Sequence, residues 1–168
     1  MRVVGYVREE SGPDGGESSY AQSERIRRWA ARGGHALVAV CQDVLHPGHA
    51  LGRDGYRALI GIVESGQADV VILPSLAALA ADKILQEIML WDLRGRGVSV
   101  LVTEDAGLAD LAEPPQDPVR MLIRDVLARM AEYGEALAEP EQHAAVVDLT
   151  RPEVVIELLP ADDHASAS

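Results

Sequence analysis

Short, nearly continuous apolar runs alternate along this chain with longer stretches in which apolar residues return every three or four positions, so buried strands should alternate with amphipathic helices. Val3-Val4-Gly5-Tyr6-Val7 predicts a first strand. A glycine-rich loop from Arg8 to Gly16 follows. Ser19 and Gln22 then have the spacing of a capping box, opening a helix that runs through Ile26 and Trp29 and stops at Gly33-Gly34. Ala36 to Cys41 predicts a second strand, Asp54 to Ser65 a second helix, and Val70-Val71-Ile72-Leu73 a third strand, buried on both faces and stopped by Pro74. Asp82 to Arg94 predicts a third helix, with Ile84, Ile88 and Trp91 on its inner stripe and Gly95 as terminator, and Val98 to Val102 a fourth strand. A helix-length crossover between successive strands is what parallel pairing requires. The expected fold class is therefore α/β, a three-layer domain around a mostly parallel four- to five-stranded sheet, with a long helix to follow.

That last helix differs in kind. Asp117 is a good N-cap and Pro118 a good first helical residue, so the helix is expected over 117–139, ending before Pro140. Val119, Ile123, Val126, Met130, Tyr133 and Leu137 recur at spacings of four and three, a heptad-like seam narrower than a globular face. It can dock on the chain's own sheet or pair with a second long helix, and the sharper expectation is a homodimer. Residues 1–139 then form one domain and 140–168 an acidic tail. Within the tail, Ala144-Ala145-Val146-Val147 and Val154-Val155-Ile156 are β-capable, and one of them can add an edge strand; Ala161 to Ser168 are expected to be disordered.

Charge changes the picture. The formal net charge over 168 residues is -12, whereas a nucleic-acid binder usually carries a basic field, so tight DNA binding by this chain alone is disfavoured. The tail contributes six acidic side chains against Arg151 alone, yet the body is acidic too. No apolar run reaches the length of a membrane span and no signal-type segment opens the chain, so no membrane partner and a cytoplasmic location are expected. The single Cys41 excludes an internal disulfide and reads as a small buried hydrophobe.

The candidate chemistry lies at the end of the first strand. Tyr6-Val7-Arg8-Glu9-Glu10 is followed by a helix with an early Gln22, then by Gly52-Arg53-Asp54-Gly55-Tyr56-Arg57-Ala58-Leu59-Ile60, then by a strand running into Leu76-Ala77-Ala78-Leu79-Ala80-Ala81. In order and spacing, over roughly residues 1 to 139, this resembles the catalytic domain of the serine recombinases, the resolvase and invertase family. That family opens with Tyr-x-Arg-Val-Ser, continues through Arg-Pro-Gly-x-x-x-Leu-Leu, and carries Leu-Asp-Arg-Leu-x-Arg after its third strand. The resemblance implies a resolvase-like fold and maps the family's positions onto Tyr6, Arg8, Gln22 and Arg53, with Glu10 at the place of the attacking serine. Ala77, Ala78 and Ala81 stand where an aspartate and two arginines are expected.

The family breaks DNA by serine attack on a phosphodiester, and its transition state needs guanidiniums clustered around the phosphate oxygens. Here the nucleophile and two of those guanidiniums are missing, so negligible turnover is expected. Ser11 is a poor substitute, because neighbouring residues on a strand point to opposite faces. After Ala131-Glu132-Tyr133 the family's Glu-Arg is replaced by Gly134-Glu135, and an acidic tail stands where a basic linker and DNA-binding domain usually follow. The expectation is a catalytically inactive recombinase-like domain acting as a dimerising interaction or regulatory module, as a homodimer or as a heterodimer with a related recombinase. The alternatives are an active site-specific recombinase with an unorthodox site and a small-molecule binder at the strand ends. Glu10 is either an internal plug, its carboxylate paired with Arg8 and Arg53 in place of phosphate, or a solvated loop charge alongside Glu9.

Other constellations are weaker. Glu9, Glu10 and Asp43 can meet as an acidic cluster of the receiver-domain kind, but Leu73-Pro74 replaces that fold's phosphoacceptor aspartate. His35, His46 and His49 lack the pairing of a zinc site and read as loop histidines, so neither metal nor cofactor is expected. Gly12-Pro13-Asp14-Gly15-Gly16 lacks the ending of a phosphate-cradling loop. Arg25, Arg27, Arg28 and Arg32 form a basic patch on the first helix, either a solvated face or a contact for the acidic tail or an acidic partner.

Overall fold

The computed structural model describes residues 1–9, 16–44 and 53–138, leaving aside the side chains of 106, 137 and 138. Glu10, Ser11, His46, His49, the Leu137 side chain and both β-capable runs of the tail lie outside the described residues. Strands β1 (Arg2–Glu9), β2 (Ala36–Val44), β3 (Val70–Leu73) and β4 (Ser99–Val102) form one sheet in the order β2-β1-β3-β4, and every pairing is parallel. Helices α1 (Ser19–Arg32), α2 (Asp54–Glu64) and α3 (Lys83–Gly95) make the crossovers, and a 3-10 turn, Leu76–Ala78, follows β3. After β4 come a 3-10 turn at Asp105–Gly107, the short α4 (Leu108–Leu111), which the apolar pattern did not reveal, and the long α5 (Pro118–Ala138). The fold is the expected α/β, with four strands among the described residues.

Strand alternation separates two cores. Val3 and Val7 of β1 and Val70 and Ile72 of β3 pack with Ile26 and Ala30 of α1 on one face, while Val4, Tyr6, Val71 and Leu73 pack with Leu59 of α2 and Met89, Leu90 and Leu93 of α3 on the other. Gly5 lets α1 approach: a Cβ there would meet Ile26 at 3.0 Å. Cys41 is buried, as its setting suggested.

The third helix corrects the sequence expectation. Ile84, Ile88 and Trp91 are exposed, Trp91 by 49%, and the buried side holds Leu85, Met89, Leu90 and Leu93 together with Gln86 and Glu87. This helix carries two apolar stripes, and the sheet takes the one richer in leucine. Buried Glu87 is answered by arginines of α5. Arg120 reaches it at 2.6 Å and Arg124 at 2.7 Å, while Arg120 also donates to Gln86. Lys83 pairs with Asp117, whose carboxylate accepts from the Val119 N–H at 2.9 Å as the expected N-cap of α5.

Contact density divides the chain into Met1–Met130 and Ala131–Ser168. Among the described residues, no helix is long and apolar enough to cross a membrane.

Candidate functional site

β1 pairs with β3 only from Val3 to Gly5, so the edge of β1 beyond Gly5 faces an opening at the carboxyl ends of the strands. Backbone polar groups along such an edge need partners. Gln22 supplies them: its amide donates to the Arg8 carbonyl at 2.9 Å and accepts from the Arg8 N–H at 3.3 Å. The capping box expected of Ser19 and Gln22 is therefore not formed. Ser18 is the N-cap instead, accepting from the Ala21 N–H, and Gln22 is buried.

Glu9 and Asp43 do not cluster in the manner of a receiver domain; each serves a different helix. Glu9 accepts from the Ser19 N–H at 2.7 Å at the start of α1, and that bond holds its carboxyl below the usual range. Asp43, only 2% exposed, accepts from the N–H groups of Gly55 at 2.8 Å and Tyr56 at 3.1 Å, capping α2 from a neighbouring strand. Arg53, the residue at the N-cap position, gives α2 no side-chain cap. The close approach demands Gly55, since a Cβ there would lie 2.4 Å from the Gln42 carbonyl oxygen.

The same carboxylate accepts the Tyr6 hydroxyl at 2.8 Å, and that hydroxyl accepts from Arg53 at 3.0 Å. Tyr6 is fully buried and stands edge-on to Tyr56, ring centroids 5.8 Å apart. Burial, chiefly, pushes both phenols well above their usual range.

Arg53 has no solvent exposure. Besides Tyr6, it donates to the Leu79 carbonyl at 2.6 Å and lies 3.7 Å from the Met89 sulfur. Arg8, 5% exposed, donates to the carbonyls of Ala77 at 2.7 Å and Ala78 at 3.2 Å. Arg8 and Arg53 thus both hold the backbone of the turn after β3. The structure brings Tyr6, Arg8, Gln22, Arg53, Ala77 and Ala78 together, whereas Ala81 is exposed and does not line the opening. Glu10 and its plug lie outside the described residues.

The opening is a cavity of about 280 Å³, lined by Arg8, Gln22, Ser75, Ala77 and Ala78 and, at its partly exposed side, by Glu17, Arg25 and Glu104. Arg25 is gripped from two sides, by Glu17 ahead of α1 and by Glu104 after β4. Sequence reasoning gave Glu17 and Glu104 no role; no local pattern marks residues that meet only through the sheet. Among the described residues no group of His, Cys, Asp and Glu is placed to hold a metal ion. His35 packs on Trp29, ring centroids 4.9 Å apart, rather than standing free in a loop.

The family model for the resolvase N-terminal domain matches residues 3–151. The chain belongs to this family. Its fold is similar to the N-terminal catalytic domain of TP901-1 integrase, with a TM-score of 0.59 and 18% identity over 82% of this chain and 98% of that one. It is also similar to a resolvase family site-specific recombinase from Streptococcus pneumoniae, with a TM-score of 0.53 and 21% identity over 85% and 95% of the two chains. The C-terminal catalytic domain of ISC1926 TnpA, an IS607-like serine recombinase, has a TM-score of 0.53 and 22% identity over 82% and 85%. At these identities the likeness is one of fold. No curated protein matches the chain in sequence. This resolvase-family domain therefore shares the fold of those catalytic domains, and Ala77 and Ala78 line the cavity at the ends of its strands.

Proposed function

We propose that this is a resolvase-family domain that has lost strand cleavage and serves as a dimerising interaction or regulatory module, as a homodimer or with a related recombinase. The observation that carries the reading is the engagement of Arg8 and Arg53. Each is buried and donates to carbonyls of the 76–79 turn, where alanines stand at 77 and 78. A phosphoryl transition state draws its stabilisation from donors aimed at developing charge, and each one lost typically costs about 3–4 kcal/mol. A second support is α5. Val119, Val126 and Met130 are exposed and Ile123 is half-buried, so among the described residues up to Met130 this seam is not consumed by the sheet. An apolar stripe left in water favours association with another helix.

With a net charge of -12, DNA binding by this chain alone is weak or absent in this reading. Two measurements test it. Incubation with supercoiled DNA followed by denaturing electrophoresis should yield no covalent protein–DNA adduct; an adduct establishes the alternative, an active recombinase with an unorthodox site. Sedimentation should show a dimer that Val126→Asp with Met130→Asp converts to a folded monomer, and a monomeric parent chain rules out the homodimer.

A further inference from the structure

The cavity beside β1 contains a guanidinium with both ends occupied. Arg25 projects from α1 one turn after Gln22; one terminal nitrogen meets the Glu17 carboxylate and the other meets Glu104. The two carboxylates come from different parts of the fold, one from the approach to α1 and the other from the segment after β4. The fork of a guanidinium can hold two oxygens of one phosphate or carboxylate ligand, and here its two terminal nitrogens are taken by two separate carboxylates instead. We propose that the cavity is an oxyanion site occluded by the protein's own carboxylates, with Arg25 as its recognising guanidinium and Glu17 and Glu104 standing in for the oxygens of a phosphate-like ligand.

The stand-ins are weakly held. The Glu17 and Glu104 side chains are 35% and 45% exposed, and ion pairs of that exposure contribute little because water and salt compete for them. They nevertheless place two negative charges where a ligand would bring its own. An incoming anion must displace both from Arg25 and then remain beside them. The space itself suffices: about 280 Å³ compares with about 30 Å³ per water molecule. Ser75 adds a hydroxyl-bearing residue to the wall, and Gln22 is fixed by its bonds to Arg8. Neutralising the two glutamates without changing their size should therefore expose a site for an anion with several terminal oxygens. Occlusion of this kind deepens the reading that cleavage is lost, yet the two fail separately, since the adduct assay reads an ester bond and anion titration reads occupancy.

The test uses inorganic pyrophosphate as probe, with sodium chloride at matched ionic strength as control, and reads binding to the full chain by calorimetry and by thermal shift. Wild type should bind weakly. Glu17→Gln with Glu104→Gln should bind at least about tenfold more tightly, and each single substitution should give a smaller gain. Adding Arg25→Ala to the double variant should abolish the gain. Equal affinity in wild type and the double variant overturns the proposal, as does a gain that survives Arg25→Ala. A gain produced by Glu10→Gln alone, with none from Glu17 and Glu104, would also overturn it and assign the occluding role to Glu10. Should the double variant fail to fold, Glu104→Gln alone decides, and no gain from it counts against the site.

Discussion

The Tyr6 hydroxyl donates to the Asp43 carboxylate across 2.8 Å, and this bond ties the central strand to the N-terminus of α2. Because Arg53 donates to the same hydroxyl, a chain of three side chains runs from the cap of α2 to the turn after β3. Buried networks of this kind are costly to leave half satisfied.

Asp43→Ala orphans the Gly55 and Tyr56 N–H groups and the Tyr6 hydroxyl, and should lower stability by about 3 kcal/mol. Tyr6→Phe should cost about 1–3 kcal/mol, since Arg53 and Asp43 each lose a partner. The double variant should lose less than the sum by about 1 kcal/mol, because the two residues share one bond. Urea denaturation of the four proteins checks this. A loss under about 0.5 kcal/mol for Asp43→Ala, the scale of an ordinary surface change, would show that the cap carries no weight.

Arg53 should behave as a structural residue. Arg53→Ala leaves the Leu79 carbonyl and Tyr6 without their donor in a fully buried place, and a loss of about 3–5 kcal/mol is expected in thermal or urea unfolding. Arg53→Lys should recover little, because a single ammonium cannot reproduce the fork that spans Tyr6 and Leu79. An arginine kept mainly to hold a phosphate would be removable with little effect on stability, so the measurement separates the two roles.

Glu87 anchors α5 through Arg120 and Arg124 at 1% side-chain exposure, which makes it the most sensitive carboxylate of that contact. Glu87→Ala should cost about 3–5 kcal/mol by removing the one buried carboxylate from Arg120 and Arg124, which keep only the more exposed Asp110 and Glu113. Glu113 pairs with Arg94 and Arg124 but is 67% exposed, and Glu113→Gln should change stability by no more than about 0.5 kcal/mol. Chemical denaturation of both variants gives the comparison. Equal losses would mean that exposure does not separate these two carboxylates.

Local pattern revealed the strands and major helices because their signals are local: continuous apolar runs at Val3–Val7 and Val70–Leu73, Pro74 as a stop, Asp117-Pro118 as a start. It misplaced the inner face of α3 because Ile84, Ile88 and Trp91 repeat as well as Leu85, Met89 and Leu93 do. Nor does local pattern show Arg120 and Arg124, more than thirty positions away, which pair with Glu87 on the buried side of that helix. The site divides in the same way. Tyr6, Arg8, Gln22, Arg53 and the alanines were legible as a motif, but that Arg8 and Arg53 hold backbone carbonyls was not. The capping role of Asp43, which the sequence offered only as part of an acidic cluster, escaped notice because a cap supplied by a neighbouring strand has no fixed spacing from the helix it serves.

Alkaline pH should expose the buried phenols. Tyr6 and Tyr56 are held above their usual range mainly by burial, with Asp43 adding to the effect at Tyr6 and Asp92 at Tyr56. In an unfolded chain they ionise near pH about 10. Below that value both states keep the phenol protons and this contribution to stability is constant. Above it, the unfolded chain releases protons that the folded protein retains, so stability falls by up to about 1.4 kcal/mol per pH unit for each tyrosine, until the folded pKa is reached. A variant carrying Tyr20→Phe and Tyr133→Phe leaves Tyr6 and Tyr56 as the only phenols. Its phenolate absorbance should rise in step with the loss of circular dichroism as pH increases. Ionisation completed while the dichroism remains native would show that the two hydroxyls are not sealed in the Arg53–Tyr6–Asp43 and Tyr56–Asp92 contacts.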